Sequence, residues 1–346
     1  MDHMKLTKLF IAAGLAVSLT GCQFDFTEPE LSDDEKTVAL ICQSEKPRVV
    51  VDYISSTQPD FGQKSATRYM DIDGDRINDQ IHHGDLSAKI IEVNGHTVLR
   101  YGVNEGKTIA DSHHGHDEKE HGIAESDFTV IMDDILKKIK NGDMEKPAAI
   151  FLSLDWPASI EELHRYFGDD LSLTMNNLHS KQEEIIARLN EQYGDNGSGD
   201  EILDFYYKTH EQFMALKNQD VTIIVAAGNS HSKKVNVLSL LGGISVGALT
   251  PDRNHIAPYS NQNSLTTIYR VGEFKTHRVP GGVDINGNGN ADFSTPLLSN
   301  DTALIKTFRG TKTWGATAQG TSYAAPNLCN PDAGPGSLAW LYKLLP

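Results

Sequence analysis

The sequence predicts an α/β domain built on a doubly wound, mainly parallel sheet with helices on both faces. Three observations carry that expectation. The short runs "RVVVDYIS", "AAIFLSLDW" and "VTIIVAAGN" have the length and composition of buried strands. The stretches "DFTVIMDDILKKIKNGD" and "ILDFYYKTHEQFMALKNQD", with apolar residues at helical spacing, precede the second and third runs. The chain has 346 residues, 39% hydrophobic and 23% charged, which is enough to bury both faces of such a sheet. Strands alternating with helices lie parallel, and sheets of this kind bind ligands at the carboxyl ends of their strands. Asp52, Asp155 and Asn229 stand at those ends.

The first residues read as a targeting segment. Lys5 and Lys8 precede the apolar run "LFIAAGLAVSL", too short to span a bilayer, which closes on Leu19-Thr20-Gly21-Cys22. This stretch, residues 1–21, resembles a bacterial lipoprotein signal. The resemblance implies acylation of Cys22, attachment to the membrane through its acyl chains and, with Gln23 next, an outer-membrane address in the cell envelope, with later release left open. Residues 22–45, including "QFDFTEPELSDDEKT", read as an acidic tether or edge segment. The two other cysteines, Cys42 and Cys329, are either a disulfide or two separate thiols, because spacing alone does not bring two Cα atoms together.

The globular domain runs over 46–346, with insertions at about 104–125 and 160–215. The first insertion holds "DSHHGHDEKEHG", whose His113, His114, His116 and His121 read as a solvated loop, since no closed ligand spacing is present. In the second, Ser159 and Glu162 have capping-box spacing ahead of "IEELHRYF", and "NEQYGDNGSGDE" breaks two helices. A net charge of −16 excludes nucleic acid as an electrostatic partner and leaves calcium as a cation to consider.

Two loops have the rhythm of calcium ligands. "DIDGDRIND" offers Asp71, Asp73, Asp75 and Asp79; "DINGNGNAD" offers Asp284, Asn286, Asn288 and Asp292. Alternating oxygen-bearing side chains in a tight glycine turn converge on a hard cation. The second loop has Gly289 where the first has Arg76, so it is the stronger of the two expectations. Asp/Asn/Gly turns without an ion are the alternative.

The chemistry is concentrated in Gly320-Thr321-Ser322-Tyr323-Ala324-Ala325-Pro326. Small residues around Ser322 allow close approach, and a hydroxyl becomes a nucleophile once a base takes its proton and the oxyanion is stabilised. This motif resembles the nucleophile segment of the subtilisin-like serine proteases, the subtilases. Three further segments follow the family order: "HHGDLSAKII", "AAIFLSLDW" and "VAAGNS", the last followed by "ISVGALTPDRNHIAPYSN". The resemblance covers residues 46–326 apart from the insertions. It implies a subtilisin-like fold and an endopeptidase acting on polypeptide. It further implies Ser322 as nucleophile, His83 (with Gly84) as general base, Ser153-Leu154-Asp155 lining the substrate cleft, and an oxyanion hole made by Asn229 and the Ser322 N–H. The order aspartate, histidine, serine is that of subtilisin. For the aspartate, Asp52 is the first choice, with Asp71 and Asp73 as competitors; Tyr53-Ile54 after Asp52 depart from the family's usual Ser/Thr-Gly.

Two features pull the other way. Gly243-Ile244-Ser245-Val246-Gly247 satisfies the G-x-S-x-G elbow of esterases, for which Asp252, Asp284, His255 and His277 are available partners. And Pro331 and Pro335 stand where the helix opened by Ser322 runs on in the family, so the tail reads as altered or truncated and an inactive subtilase-like lipoprotein is the alternative.

Overall fold

The computed structural model describes residues 31–54, 61–62, 70–74, 79, 81–103, 105–106, 122–123, 125–193, 199–231, 233–294 and 314–330. The segment read as a lipoprotein signal with Cys22, the four histidines of the first insertion, Asp75, and Pro331 and Pro335 lie outside them.

Seven strands form one wholly parallel sheet. In chain order they are β1 (Arg48–Asp52), β2 (Phe61–Gly62), β3 (Val98–Gly102), β6 (Ala149–Leu152), β8 (Thr222–Ala226), β10 (Ile244–Leu249) and β11 (Thr266–Val271). The short strands β4 (Glu105–Gly106) and β5 (Gly122–Ile123) pair with each other, as do β7 (Pro157–Ala158) and β9 (Val235–Asn236). Across the main sheet the order is β11-β10-β8-β6-β1-β3-β2. The chain winds to one side of β1 through β3 and to the other through β6, so a topological switch point lies between β1 and β6, where open α/β sheets bind ligands.

Burial explains why these strands are unbroken apolar runs. Val49 and Val51 of β1 join a core with Ile150, Leu152, Ile223 and Val225, while Val50 joins a second core on the opposite face with Phe151, Ile224, Val246 and Ala248. Successive side chains of a strand point to opposite faces, and here both are covered. Helices Glu125–Asn141, Ile160–Phe167, Leu178–Tyr193 and Glu201–Lys217 contribute to the first core. The segment read as the second insertion is thus a packed helical layer, with Leu163, Phe167, Ile185, Leu189 and Phe213 buried. The predicted capping box of Ser159 and Glu162 is formed.

The acidic segment read as a tether instead contains a helix, Asp33–Gln43, started by a capping box of Ser32 and Glu35. Val38 and Ile41 enter the second core, and Arg48, fully buried, donates to the carbonyls of Ile41 and Ser44 at the helix's end. Burial holds the Arg48 guanidinium below its ordinary pKa. Cys42 is bonded to Cys329, with Cα atoms 5.1 Å apart. This bridge ties the first described helix to the turn that follows Ser322.

A small antiparallel sheet of β12 (Glu273–Val279), β13 (Gly282–Asp284) and β14 (Trp314–Gln319) delivers the chain to Gly320. Among the described residues, no helix is long and apolar enough to cross a membrane.

Candidate active site

Three side chains from distant elements meet at the carboxyl edge of the sheet. Asp52, fully buried, ends β1. His83 opens the helix His83–Val93, and Gly84 after it lets that helix press against the end of β1. A β-carbon on Gly84 would lie 2.6 Å from Asp52 Cβ, Ile54 Cδ1 and the Tyr53 carbonyl oxygen. The Gly84 N–H donates to that same carbonyl at 2.8 Å, which fixes the start of the helix. His83 Nδ1 lies 2.7 Å from Asp52 Oδ2, and His83 Nε2 lies 2.8 Å from Ser322 Oγ. The carboxylate accepts, so Nδ1 carries the hydrogen and Nε2 is left to accept from the Ser322 hydroxyl. Asp52 is itself oriented by the Tyr53 N–H at 2.7 Å and the Ser87 hydroxyl at 3.4 Å. The alternative acids Asp71 and Asp73 are not part of this line.

Ser322 is 7% exposed and sits in the short helix Thr321–Ala324, which passes into a 3-10 turn, Pro326–Cys329. The helix is brief, and its segment is anchored. Arg270 Nε donates to the Leu328 carbonyl, Asn327 Nδ2 to the Val271 carbonyl, and Cys329 is bridged to Cys42. Tyr323 lies with its ring centroid 4.9 Å from that of His83. Burial, and then the charge of Asp52, push its phenol well above the usual tyrosine range, so it stays neutral beside the imidazole.

Asn229 follows β8 and faces Ser322 across a gap. Its Oδ1 accepts from the backbone N–H of Thr321 at 2.9 Å and from the Thr321 hydroxyl at 3.1 Å. Thr321 Oγ1 in turn accepts from the Gly228 N–H at 3.0 Å. Both donors hold the oxygen side of the amide, which leaves Nδ2 toward Gly320. A β-carbon on Gly320 would stand 2.9 Å from Ser322 Oγ, 3.5 Å from Asn229 Nδ2 and 3.7 Å from the Ser322 nitrogen. Glycine therefore leaves an atom-sized space bordered by the hydroxyl and two N–H donors. The turn carrying Asn229 is braced by Asn261, fully buried, whose Nδ2 donates to the Ala227 carbonyl and whose Oδ1 accepts from the Ser230 N–H.

The individual roles of Gly320, Thr321 and Asn261 do not follow from the sequence, although the first two lie in "GTSYAAP" and the third in "APYSN".

At the end of β6, Ser153 and Leu154 are buried and Asp155 is exposed. The Ser153 hydroxyl has no hydrogen-bond partner among the described residues.

The esterase reading of Ser245 is overturned. Ser245 lies inside β10 rather than at a strand-to-helix elbow, is 1% exposed, and pairs its hydroxyl with Thr266 Oγ1 at 3.1 Å. His255 and Asp252 lie 3.7 Å apart in an exposed turn, and His277 and Asp284 belong to the small sheet. Gly247 is there for packing: a β-carbon would collide with the Tyr269 ring.

Of the two calcium-type loops, the first fits a hard cation better. One oxygen from each of Asp71, Asp73 and Asp79 lies within 4.8 Å of the others, and Asp73 and Asp79 are buried. In the second, Asp284 Oδ1 accepts from the N–H groups of Asn286 and Gly287 and Oδ2 from that of Gly289, while Asp292 Oδ2 accepts from Ile285. Asn286 and Asn288 each turn Oδ1 onto a later backbone N–H of the same loop. The second loop thus offers two carboxylates to the three of the first, while in both loops carboxylate oxygens also accept from the loop's own amides, in the first Asp71 Oδ1 from Gly74 and Asp79 Oδ2 from Ile72.

Residues 175–331 match the model of the subtilase family. That stretch contains Asn229, Thr321 and Ser322, whereas Asp52 and His83 lie upstream of it. No curated protein matches the chain. Solved structures similar to it include a lanthipeptide protease, at 16% identity and TM-score 0.42, covering 86% of this chain and 79% of that one. They also include the prenylagaramide maturation protease PagA, at 14% identity and TM-score 0.39, covering 85% and 77%. The epidermin leader peptide processing serine protease of Staphylococcus aureus is similar at 13% identity and TM-score 0.40, covering 82% and 63%. These are loose likenesses; the parallel sheet described above rests on its own strand register.

Proposed function

We propose that this chain is a subtilisin-type serine endopeptidase that hydrolyses polypeptide through an acyl-enzyme. The observation that carries the reading is the unbroken hydrogen-bonded line Asp52–His83–Ser322, with 2.7 and 2.8 Å links. As Ser322 Oγ bonds to the scissile carbonyl carbon, His83 Nε2 takes its proton and the carbonyl oxygen becomes an oxyanion. That oxygen fits the space beside Gly320, within reach of Asn229 Nδ2 and the Ser322 N–H. Collapse of the adduct breaks the C–N bond, and the amine leaves with the proton from His83. Water then attacks the ester by the same steps. Asp52 holds the imidazole tautomer and stabilises the imidazolium.

Ser153, Leu154 and Asp155 would line the approach of the substrate. Asp71, Asp73 and Asp79 would hold a structural Ca2+ that ties the loop down and takes no part in the reaction. Acylated Cys22 would keep the enzyme on the envelope membrane, at the outer-membrane address its neighbour Gln23 implies.

The test is labelling of the purified chain by a fluorophosphonate, beside Ser322→Ala and Ser245→Ala. Labelling is expected in the parent and in Ser245→Ala and lost in Ser322→Ala. A folded parent that takes no label would sink the reading and leave a non-catalytic relative of proteases.

A further inference from the structure

We propose that the site selects for a lysine or arginine side chain close to the scissile bond, and that Asp155 makes the selection. This rests on the peptidase reading above and adds to it a substrate class.

The placement of Asp155 is the first observation. It is an exposed residue between two buried ones, Leu154 and Trp156. Both neighbours are clamped to one fully buried side chain: Asn236 Nδ2 donates to the Leu154 carbonyl at 2.9 Å, and the Trp156 N–H donates to Asn236 Oδ1 at 3.2 Å. The carboxylate is therefore presented from a fixed backbone and not from a loose loop.

Its distance from the chemistry is the second. A β-carbon on Gly228 would stand 3.0 and 3.2 Å from the two Asp155 carboxylate oxygens. Gly228 takes φ +99° and its N–H is held by Thr321 Oγ1. The next residue is Asn229, whose Nδ2 borders the space beside Ser322 Oγ. The carboxylate thus lies over Gly228 beside Asn261 Nδ2, which would stand 2.3 Å from that β-carbon, and one residue along the chain from Asn229. A substrate whose carbonyl enters the Gly320 space brings the side chains nearest that carbonyl past Asp155.

The third observation is charge. Asp155 interacts within the protein, but a carboxylate has about four lone-pair directions and accommodates a further cationic donor, bidentate in the case of arginine. An acidic substrate side chain would meet repulsion there, and an apolar one would strip water from the carboxylate without replacing it. The whole chain adds to this bias: 47 acidic against 31 basic residues give a net charge of −16, which draws cationic peptides toward the surface.

The experiment walks a single lysine through an otherwise neutral peptide and identifies the cleaved bond by mass. Cleavage is expected at a constant offset from the lysine, with kcat/KM roughly tenfold or more above the norleucine peptide, a ratio that shrinks as salt is raised. Asp155→Asn should bring the lysine-to-norleucine ratio close to one. Asp155→Lys should reverse it in favour of glutamate, an outcome that a general loosening of the site would not give. An offset that wanders, or the same ratio in Asp155→Asn as in the parent, overturns the inference. So does fluorophosphonate labelling of Ser322 without cleavage of any lysine peptide, which leaves the nucleophile standing. Absence of labelling overturns the peptidase reading and this inference together.

Discussion

Thr321 gives two hydrogen bonds to a single atom, the Oδ1 of Asn229, at 2.9 Å from its backbone and 3.1 Å from its hydroxyl. An asparagine amide presents two nearly identical ends, and only the nitrogen end can donate to an oxyanion. The residue beside the nucleophile therefore decides which end of Asn229 faces the substrate. Thr321→Val keeps the shape and the backbone bond but removes the hydroxyl. We expect kcat/KM to fall about 10- to 100-fold, a smaller loss than the 100- to 1,000-fold typical of deleting an oxyanion donor outright, and Tm to fall as well, because the Gly228 N–H loses its acceptor. In an Asn229→Ala background the same change should add almost nothing, because both act through one contact. Additive losses in steady-state kinetics would show that Thr321 acts elsewhere.

Gly320 is required for space in this structure, not for an unusual backbone angle, since its φ of 160° is one any residue can adopt. Gly320→Ala would place a methyl group within 2.9 Å of Ser322 Oγ. The variant should fold with a near-parental circular dichroism spectrum and lose more than about 100-fold in fluorophosphonate labelling rate, because the carbonyl oxygen no longer has a place beside two donors. Labelling at the parental rate would mean that the oxyanion forms on another side of Ser322.

The Cys42–Cys329 bridge closes a loop whose ends are 287 positions apart in sequence. In the chain-entropy model so long a loop contributes roughly 5 kcal/mol by restricting the unfolded chain. Calorimetry of the Cys42→Ser, Cys329→Ser double variant should show Tm lower by roughly 5 to 10 °C. Because Cys329 lies in the segment that follows Ser322, labelling of Ser322 should also become more sensitive to mild urea. Equal Tm values would place the stability of this segment in Arg270 and the second core alone.

Calcium binding to the Asp71–Asp73–Asp79 cluster should appear as a rise in Tm with added Ca2+ and a fall with chelator. Saturation at about 100 times Kd corresponds to about 2.7 kcal/mol. Asp73→Asn should abolish most of that response, while Asp284→Asn should leave most of it. A response that survives Asp73→Asn and vanishes in Asp284→Asn would transfer the ion to the second loop.

Much of this arrangement could be read from the chain. Parallel strands buried on both faces have to be apolar throughout, so "RVVVD" and "TIIVA" declared themselves and their last residues marked the site edge. The "HG" pair was informative because only glycine fits where Gly84 meets the end of β1. Other features were hidden for physical reasons. The helix Asp33–Gln43 is rich in acids and buries a narrow stripe, so its composition spoke louder than the Ser32–Glu35 capping box that starts it. The orientation of the Asn229 amide depends on Thr321, 92 residues away, and no local pattern encodes it. Ser245 satisfied a motif whose meaning depends on a turn; in the middle of a strand, paired with Thr266, the same residues are packing. Strand β12 of the small antiparallel sheet is partly exposed and polar, and gave a weaker signal than the central sheet.

The contact between His83 and Ser322 spans 239 positions of the chain. At the usual 5–20 residues per second of synthesis, the serine follows the histidine by roughly 10 to 50 s. During that interval the emerging polypeptide has a base, its orienting acid and a substrate wall, but nothing for them to activate. On the peptidase reading proposed above, a chain laid out in this order would be harmless to its own half-made copies. It would acquire the capacity to cut only when the Ser322 segment is seated, and the sulfur bridge beside that segment closes only where thiols are oxidised.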